Sequence, residues 1–460
     1  MKQALLNFSE SPIYLLWMVF IGAFPIITAM LSIDSSRRFI IDRRDEPSDS
    51  PDELLPDEGD IERARREFET LSVLIPARNE EALLASTIES VIGLDWPRVE
   101  LIVIDDGSTD RTFEIARGFI SNPETRGQMT SGPALARESV TIRILRRPES
   151  HGKASGLNLA LAEATGEIVL GLDADGRVDR RVAELMIPHF VRYPRVAAVT
   201  GNPRVANVGT ILARLQAIEF SSTVGVLRRA QAGWGRINTV SGICVMFRRQ
   251  VPLDLGGFDP GAATEDIMMT WKAQLDGWDI FYEPRALFAM HAPLTLRDWF
   301  RQRRRWGRGL GETLRVSAKP LLRRQSYRMW PVALESSLSI VWYLLLVLGV
   351  AFWAVAAAAG VPNLGNSPLV NHWGIIVIII SILQIVWGVR IDTPNDPGIK
   401  RMLWVAPLYP LLYWLFSAMA GVSGAIPGLI RGPRGEVVWD PIRVDPDPDG
   451  EPHDEKILTR

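Results

Sequence analysis

VELIVIDDGSTD, residues 99–110, is the stretch on which the fold turns. Apolar residues from Leu101 to Ile104 run without alternation into two adjacent acids, a glycine and a serine. An unbroken apolar run is the mark of a strand buried on both faces, and the Asp-Gly-Ser end marks the turn into a helix. Working outward, LSVLIP (71–76) reads the same way, and Glu80 to Ile92 between the two has helical spacing. Further on come VTIRIL (140–145), a helix from Lys153 to Ala164, and EIVLGL (167–172), which again ends in acids, LDADG. Apolar strands alternating with helices predict a mainly parallel α/β sheet covered on both faces. Ligands of such sheets bind outside the carboxyl ends of the strands, so both acidic ends face one crevice.

The rest of the chain sets limits on function. Its 460 residues hold more than one module, and 51 Lys+Arg against 53 Asp+Glu give a net charge of -2. That balance lacks the cationic surplus of a nucleic-acid binder, and no nucleic acid is expected as a partner. One cysteine, Cys244, excludes an internal disulfide and a thiolate zinc site.

Four segments have the length and composition of membrane spans: Ile13 to Ile33, Ser336 to Gly360, Leu369 to Val389 and Met402 to Ile430, all uncharged. A hydrocarbon core takes about 20 such residues. The first is longer than the apolar stretch of a cleaved secretory signal and is preceded only by Lys2. Arg37, Arg38, Arg43 and Arg44 after it place residues 35 onward in the cytoplasm. The uncharged Val361 to Pro368 fits an external loop, and Arg390 to Arg401 an internal one. Four spans put the tail outside, whereas Arg431 and Arg434 argue for the inside, so its side stays open. Residues 42–68, rich in Asp, Glu, Pro and Arg, read as a solvated linker.

Each candidate functional group has a plain alternative. In IDDGSTD, Asp105 and Asp106 suit a base N–H or a ribose hydroxyl, while Gly107, Ser108 and Asp110 suit a turn and helix cap. In LDADG, Asp173 and Asp175 can share a hard cation that also takes diphosphate oxygens, or be solvated turn acids. Lys153, at a predicted helix start, adds charge for phosphate where free N–H groups already favour an anion; a solvated lysine would look alike. In ATED, Thr264 reads as an N-cap with Glu265 and Asp266 in the first turn, and a catalytic carboxylate would have the same sequence. RDWFRQRRRWGRG (297–309) reads as an amphipathic interfacial helix, with Trp299, Phe300 and Trp306 at the wet-to-oily boundary. Its indoles can stack on sugar rings and its arginines can meet phosphate.

Taken in order, IDDGSTD, GKASGLN, LDADG, ATED and QRRRW resemble the processive family 2 glycosyltransferases, the group of cellulose, chitin and hyaluronan synthases. The ordered set is far more specific than any member. VTGNPRV, IEFSS, VSGICVMFRR and ATEDIMMTWKAQLDGWDIFYEPRAL, within 199–315, are most similar to bacterial poly-β-1,6-N-acetylglucosamine synthases of biofilm exopolysaccharide. The resemblance covers about residues 70 to 320 and implies a Rossmann-like GT-A fold joined to an α-helical transmembrane region. It implies a membrane helix (1–34), a charged cytoplasmic linker (35–69), the GT-A domain (70–295), interfacial helices with Q-x-x-R-W (296–331), three membrane helices (332–430) and a tail (431–460).

The roles it implies are uridine binding by Asp105 or Asp106 with Glu80 nearby, and diphosphate binding by Lys153. Asp173 and Asp175 would hold Mg²⁺ or Mn²⁺ with the nucleotide phosphates. Asp266 would be the general base, and Glu265, Gln302, Arg305 and Trp306 would frame the acceptor and the diphosphate. The implied donor is UDP-N-acetylglucosamine, the acceptor a growing polysaccharide, and the location the bacterial plasma membrane with the catalytic domain cytoplasmic. A hyaluronan-, chitin- or cellulose-like product, or single addition to a lipid carrier, stays open, as does the need for a small accessory membrane subunit.

Overall fold

The computed structural model describes residues 1–44, 57–121, 140–361, 372–433 and 435. The strands are β1 (Thr70–Ala77), β2 (Arg98–Asp106), β3 (Val140–Arg147), β4 (Ile168–Gly171), β5 (Arg177–Val178), β6 (Val196–Val205), β7 (Val245–Arg248) and β8 (Asp279–Met290). They form one sheet in the order β3-β2-β1-β4-β7-β6-β8-β5. β3, β2, β1 and β4 are parallel, as the alternation predicts. The other half is mixed: β7 runs antiparallel to both β4 and β6, β5 runs antiparallel to β8, and β6 pairs with β8 in parallel. The sheet is therefore mixed; the chain leaves β6 through the helices between Ile211 and Gly233 and enters β7 through a turn closed by the Cys244 amide on the Ser241 carbonyl (2.9 Å).

The central strands explain their own burial. Leu71, Val73 and Ile75 of β1 and Leu101 and Val103 of β2 face one core, and Leu74, Ile102 and Ile104 face the other. Each such side chain contributes roughly 1.5–3 kcal/mol on leaving water. The first acid of β2, Glu100, accepts from Ser72 Oγ (2.6 Å) and the Thr165 amide (2.8 Å) and pairs with Arg143 (3.1 Å). Burial opposes its charge, yet these donors hold its carboxyl below the usual range.

Four helices are long and apolar enough to cross a membrane, spanning Pro12–Ile40, Arg324–Ala358, Gly374–Asp392 and Tyr409–Arg431. The first is part of a continuous helix, Pro12–Arg44, that carries on through the arginine-rich flank. The predicted linker is partly structured: Glu58–Glu67 is a helix, docked by Arg65 to Glu184 (2.6 Å) with Ala64 fully buried. Leu369 to Val389 falls partly outside the described residues, and the helix there is His372–Asp392. The external loop and most of the tail also lie outside them. The fourth segment begins later than expected. Pro397–Val405 is a 3-10 turn whose Ile399, Met402 and Val405 are buried in the main core, and Pro407 and Pro410 break the helical ladder before Trp414–Arg431 begins.

The helix His372–Asp392 is tied to the sheet through Asp392. Its carboxylate, fully buried, pairs with Arg204 of β6 and with Arg229 (2.9 Å), and Asn202 donates to it (3.3 Å).

Candidate active site

The parallel half of the sheet brings the ends of β1, β2 and β4 to one edge. In the turn after β1, Asn79 adopts φ 56°. Its backbone amide donates to Ser108 Oγ (3.0 Å), its side-chain Oδ1 accepts from Thr109 N–H (2.8 Å), and the Glu80 amide donates to Thr112 Oγ1 (2.7 Å). Glu80 is thus stitched to the turn after β2. Gly107 (φ 71°) is required there, since a Cβ would lie 2.8 Å from the Glu149 carbonyl carbon.

Asp105 and Asp106 are adjacent but differ in what they have left to offer. Asp106 accepts from Ser150 Oγ (2.7 Å) and the amides of Gly152 (2.9 Å) and His151 (3.1 Å), and pairs with Arg147 (3.2 Å). It is fully buried and shapes the loop into the Lys153 helix. The expectation that either acid serves the uridine is narrowed by this arrangement. Asp105 accepts from Ser108 N–H (3.1 Å), and its other oxygen, with Arg146 Nε at 3.3 Å, accepts no hydrogen bond.

Lys153 opens the helix Lys153–Glu163 after Gly152 at φ 86°. Its ammonium lies 2.6 Å from Asp173 Oδ1 and 2.8 Å from Glu265 Oε1. Burial opposes that charge, but Asp173, Glu265 and Asp266 outweigh it and raise its pKa. Glu265 and Asp266 begin the helix Glu265–Leu275. Burial works against Glu265 as an anion, yet Lys153 holds its carboxyl below the usual range. Asp266 goes the other way. Burial and the Glu265 charge push it to about 6, against Lys153 and Arg305. The amides of Gly242 (3.0 Å) and Ile267 (2.9 Å) donate to its oxygens. Thr264 holds the N-cap position without the expected capping bond; its hydroxyl is buried and finds no hydrogen bond.

Asp173 and Asp175 follow β4, half-buried. Burial and the neighbouring Asp173 charge push Asp175 to about 6, opposed by His291, whose Nδ1 is 3.3 Å from the Asp175 carbonyl. Among the described residues no group of three or more His, Cys, Asp and Glu is arranged to hold a metal. The donor set is a pair of hard oxygens, which suits Mg²⁺ or Mn²⁺ completed by phosphate oxygens.

The helix Leu296–Leu321 carries Gln302, Arg305 and Trp306. One face of it packs into the protein, while Arg297, Arg301 and Arg304 stay exposed. Trp299 is 1% exposed, and its indole donates to Tyr413 Oη (2.9 Å). Trp306 is half-buried edge-on to Phe220, with the Arg303 guanidinium 4.4 Å from its ring centre. The helix is covered by Trp414–Arg431: a Cβ on Gly424 would lie 2.0 Å from the Arg304 carbonyl, and one on Gly311 2.3 Å from that of Ala425. Two small-residue stripes, Gly307 to Gly311 and Gly424 to Gly428, make that approach possible, and their spacing was a signal present in the sequence. Arg305 reaches the active-site edge, donating to the Ala263 carbonyl (3.4 Å); Gln302 is half-buried on the same helix.

One edge thus gathers Lys153, Asp173, Glu265, Asp266 and Arg305. Residues 72–255 match glycosyl transferase family 2, and residues 168–417 match glycosyl transferase family group 2. A poly-beta-1,6-N-acetyl-D-glucosamine synthase of Staphylococcus epidermidis is 31% identical over 389 residues, covering 82% of this chain and 88% of the relative. The chain belongs to glycosyl transferase family 2. A synthase of the same name from Staphylococcus aureus is 29% identical over 375 residues, 81% of this chain and 87% of the relative. In fold, the glycosyltransferase is similar to a mannosyltransferase from Pyrobaculum calidifontis solved with GDP-Man and Mn²⁺ (TM-score 0.58, 20% identity, 86% of this chain, 99% of that one). The expected GT-A architecture with candidate membrane helices is what this family 2 enzyme has. Sequence reasoning missed four groups at its site: Arg147, Gly242, His291 and Glu312. Arg147 and Glu312 lacked a signal because the Arg147–Asp106 ion pair and the bond of the Ala263 amide to Glu312 join distant segments, which have no local pattern.

Proposed function

We propose that this glycosyltransferase polymerises N-acetylglucosamine from UDP-N-acetylglucosamine into a β-1,6-linked chain, in a bacterial plasma membrane with its catalytic domain cytoplasmic. The observation that carries the reading is the Lys153 ammonium between Asp173 and Glu265, beside the half-buried, amide-bound Asp266 carboxylate. That juxtaposition puts a phosphate-binding charge next to a base. The names of the relatives support the sugar and the linkage.

Asp266 accepts the proton of the acceptor 6-hydroxyl as its oxygen attacks the anomeric carbon. The bond from that carbon to the diphosphate oxygen breaks, and UDP leaves with the electron pair. In-line attack on an α-linked donor inverts the centre and gives a β link. Lys153 and Arg305 meet the charge on the departing diphosphate. Mg²⁺ or Mn²⁺ held by Asp173 and Asp175 would supply further charge neutralisation there. Asp105, with its spare acceptor oxygen, would bind the uracil, with Glu80 beside it; Asp106 would act indirectly, by shaping the Lys153 loop. Gln302 and Trp306 would frame the acceptor. The spans beside the site would give the polar chain a protein-lined exit, which lipid cannot offer.

Membranes containing the protein, given Mg²⁺ and radiolabelled UDP-N-acetylglucosamine, test the reading. High-mass product cut by a β-1,6-hexosaminidase is the expected result. UDP release with only short or lipid-soluble product would move the function to single addition.

A further inference from the structure

Glu312 is a fully buried carboxylate in the helix Leu296–Leu321, away from the reacting groups named above. Its Oε2 accepts the Ala263 amide at 2.8 Å, and Arg308 Nε lies 2.6 Å from Oε1. One turn before Arg308, Arg305 donates to the carbonyl of the same Ala263 (3.4 Å). Both peptide groups flanking Ala263 are therefore held by one face of this helix, three residues before Asp266. The contact is close: a Cβ on Gly309 would fall 1.7 Å from Thr264 Oγ1. Burying a carboxylate is costly unless its partners repay it, and here one partner is the backbone of the loop that delivers Asp266.

We propose that Glu312 is a positioning residue for glycosyl transfer: it holds Ala263 so that the Asp266 carboxylate keeps a fixed place relative to the helix bearing Gln302, Arg305 and Trp306. The proposal rests on the reading of Asp266 as the base. A base displaced by a fraction of a bond length loses transfer rate, whereas the nucleotide, held at the ends of β2 and β4, is bound as before.

Steady-state kinetics with UDP-N-acetylglucosamine and titration with UDP, on the full-length protein, separate the two effects. Glu312→Leu is expected to lower kcat roughly 10- to 100-fold while the KM for the donor and the Kd for UDP stay within about twofold. Glu312→Gln, which keeps an acceptor oxygen for the Ala263 amide, is expected to recover most of that rate. Gly309→Ala, which pushes on Thr264 from the same helix, is expected to repeat the Leu signature and carries the test should Glu312→Leu not fold. Wild-type kcat in Glu312→Leu and Gly309→Ala overturns the proposal, as does a loss of UDP affinity in step with kcat. Asp266→Asn in parallel tells the two readings apart. Polymer from that variant removes the base assignment itself, whereas an inactive Asp266→Asn beside a fully active Glu312→Leu removes only the role of Glu312.

Discussion

A base has to be ionised to accept a proton, and Asp266 sits where burial and Glu265 push its pKa to about 6. Its conjugate acid is therefore populated at mildly acidic pH, and a weaker acid is also a stronger base. The expected profile of kcat/KM is flat above pH 6 and falls about tenfold per unit below it, measured as UDP release at saturating divalent cation. The linkage has the matching sign. The folded-state pKa is raised above the unfolded one, so this group's stabilising contribution is present below the ordinary carboxylate pKa and is lost as pH rises through about 6. Asp266→Asn should accordingly keep UDP-sugar binding and a melting temperature no lower than wild type at pH 8 while losing polymer. Equal polymer yield from Asp266→Asn would end the assignment. The neighbouring acids were legible as candidates, since DDG, DAD and TED are local patterns. Which of them is spent on structure was not: Asp106 is engaged by the distant Arg147, Ser150 and Gly152, and Asp105 is left an acceptor.

At the scale of elements, the energetics concentrate where the long apolar helices meet the sheet domain. Gly424→Ala would bring a methyl to 2.0 Å from the Arg304 carbonyl and force two helices apart. A cost of about 1–3 kcal/mol is expected, read as a lower melting temperature in detergent. Gly118→Ala, on the helix Thr112–Ser121 with nothing within 4 Å of the new methyl, should instead stabilise by roughly 0.5–1 kcal/mol. Asp392→Ala leaves the buried Arg204 and Arg229 without their shared anion, and about 3–5 kcal/mol of destabilisation is expected. A melting curve unchanged from wild type would show that solvent reaches those guanidiniums. The sequence displayed the glycines and Asp392, but a glycine stripe does not name the helix it meets, and a charge at the end of an apolar run looks the same paired or solvated.

Across the whole molecule, the proposed diphosphate site draws charge from several elements, and chelation tests the part proposed for Asp173 and Asp175. Removing divalent cations with a chelator should abolish turnover, with recovery on adding Mg²⁺ or Mn²⁺; undiminished turnover would remove the role given to those two acids.

The amino-acid sequence by itself determined the apolar strands, the helices between them, the acids at strand ends and the number of segments long and apolar enough to span a membrane. These follow from periodicity and composition within a few residues, where burial leaves little choice of residue type. Tertiary structure alone decided the rest. β7 runs antiparallel between β4 and β6, Pro397–Val405 joined the core rather than the fourth apolar helix, and the Q-x-x-R-W helix packs one face against Trp414–Arg431. An amphipathic pattern states that a face will be covered, not what covers it: for this helix the cover is a second helix more than a hundred residues away, and the same packing presents Glu312 and Arg305 to Ala263.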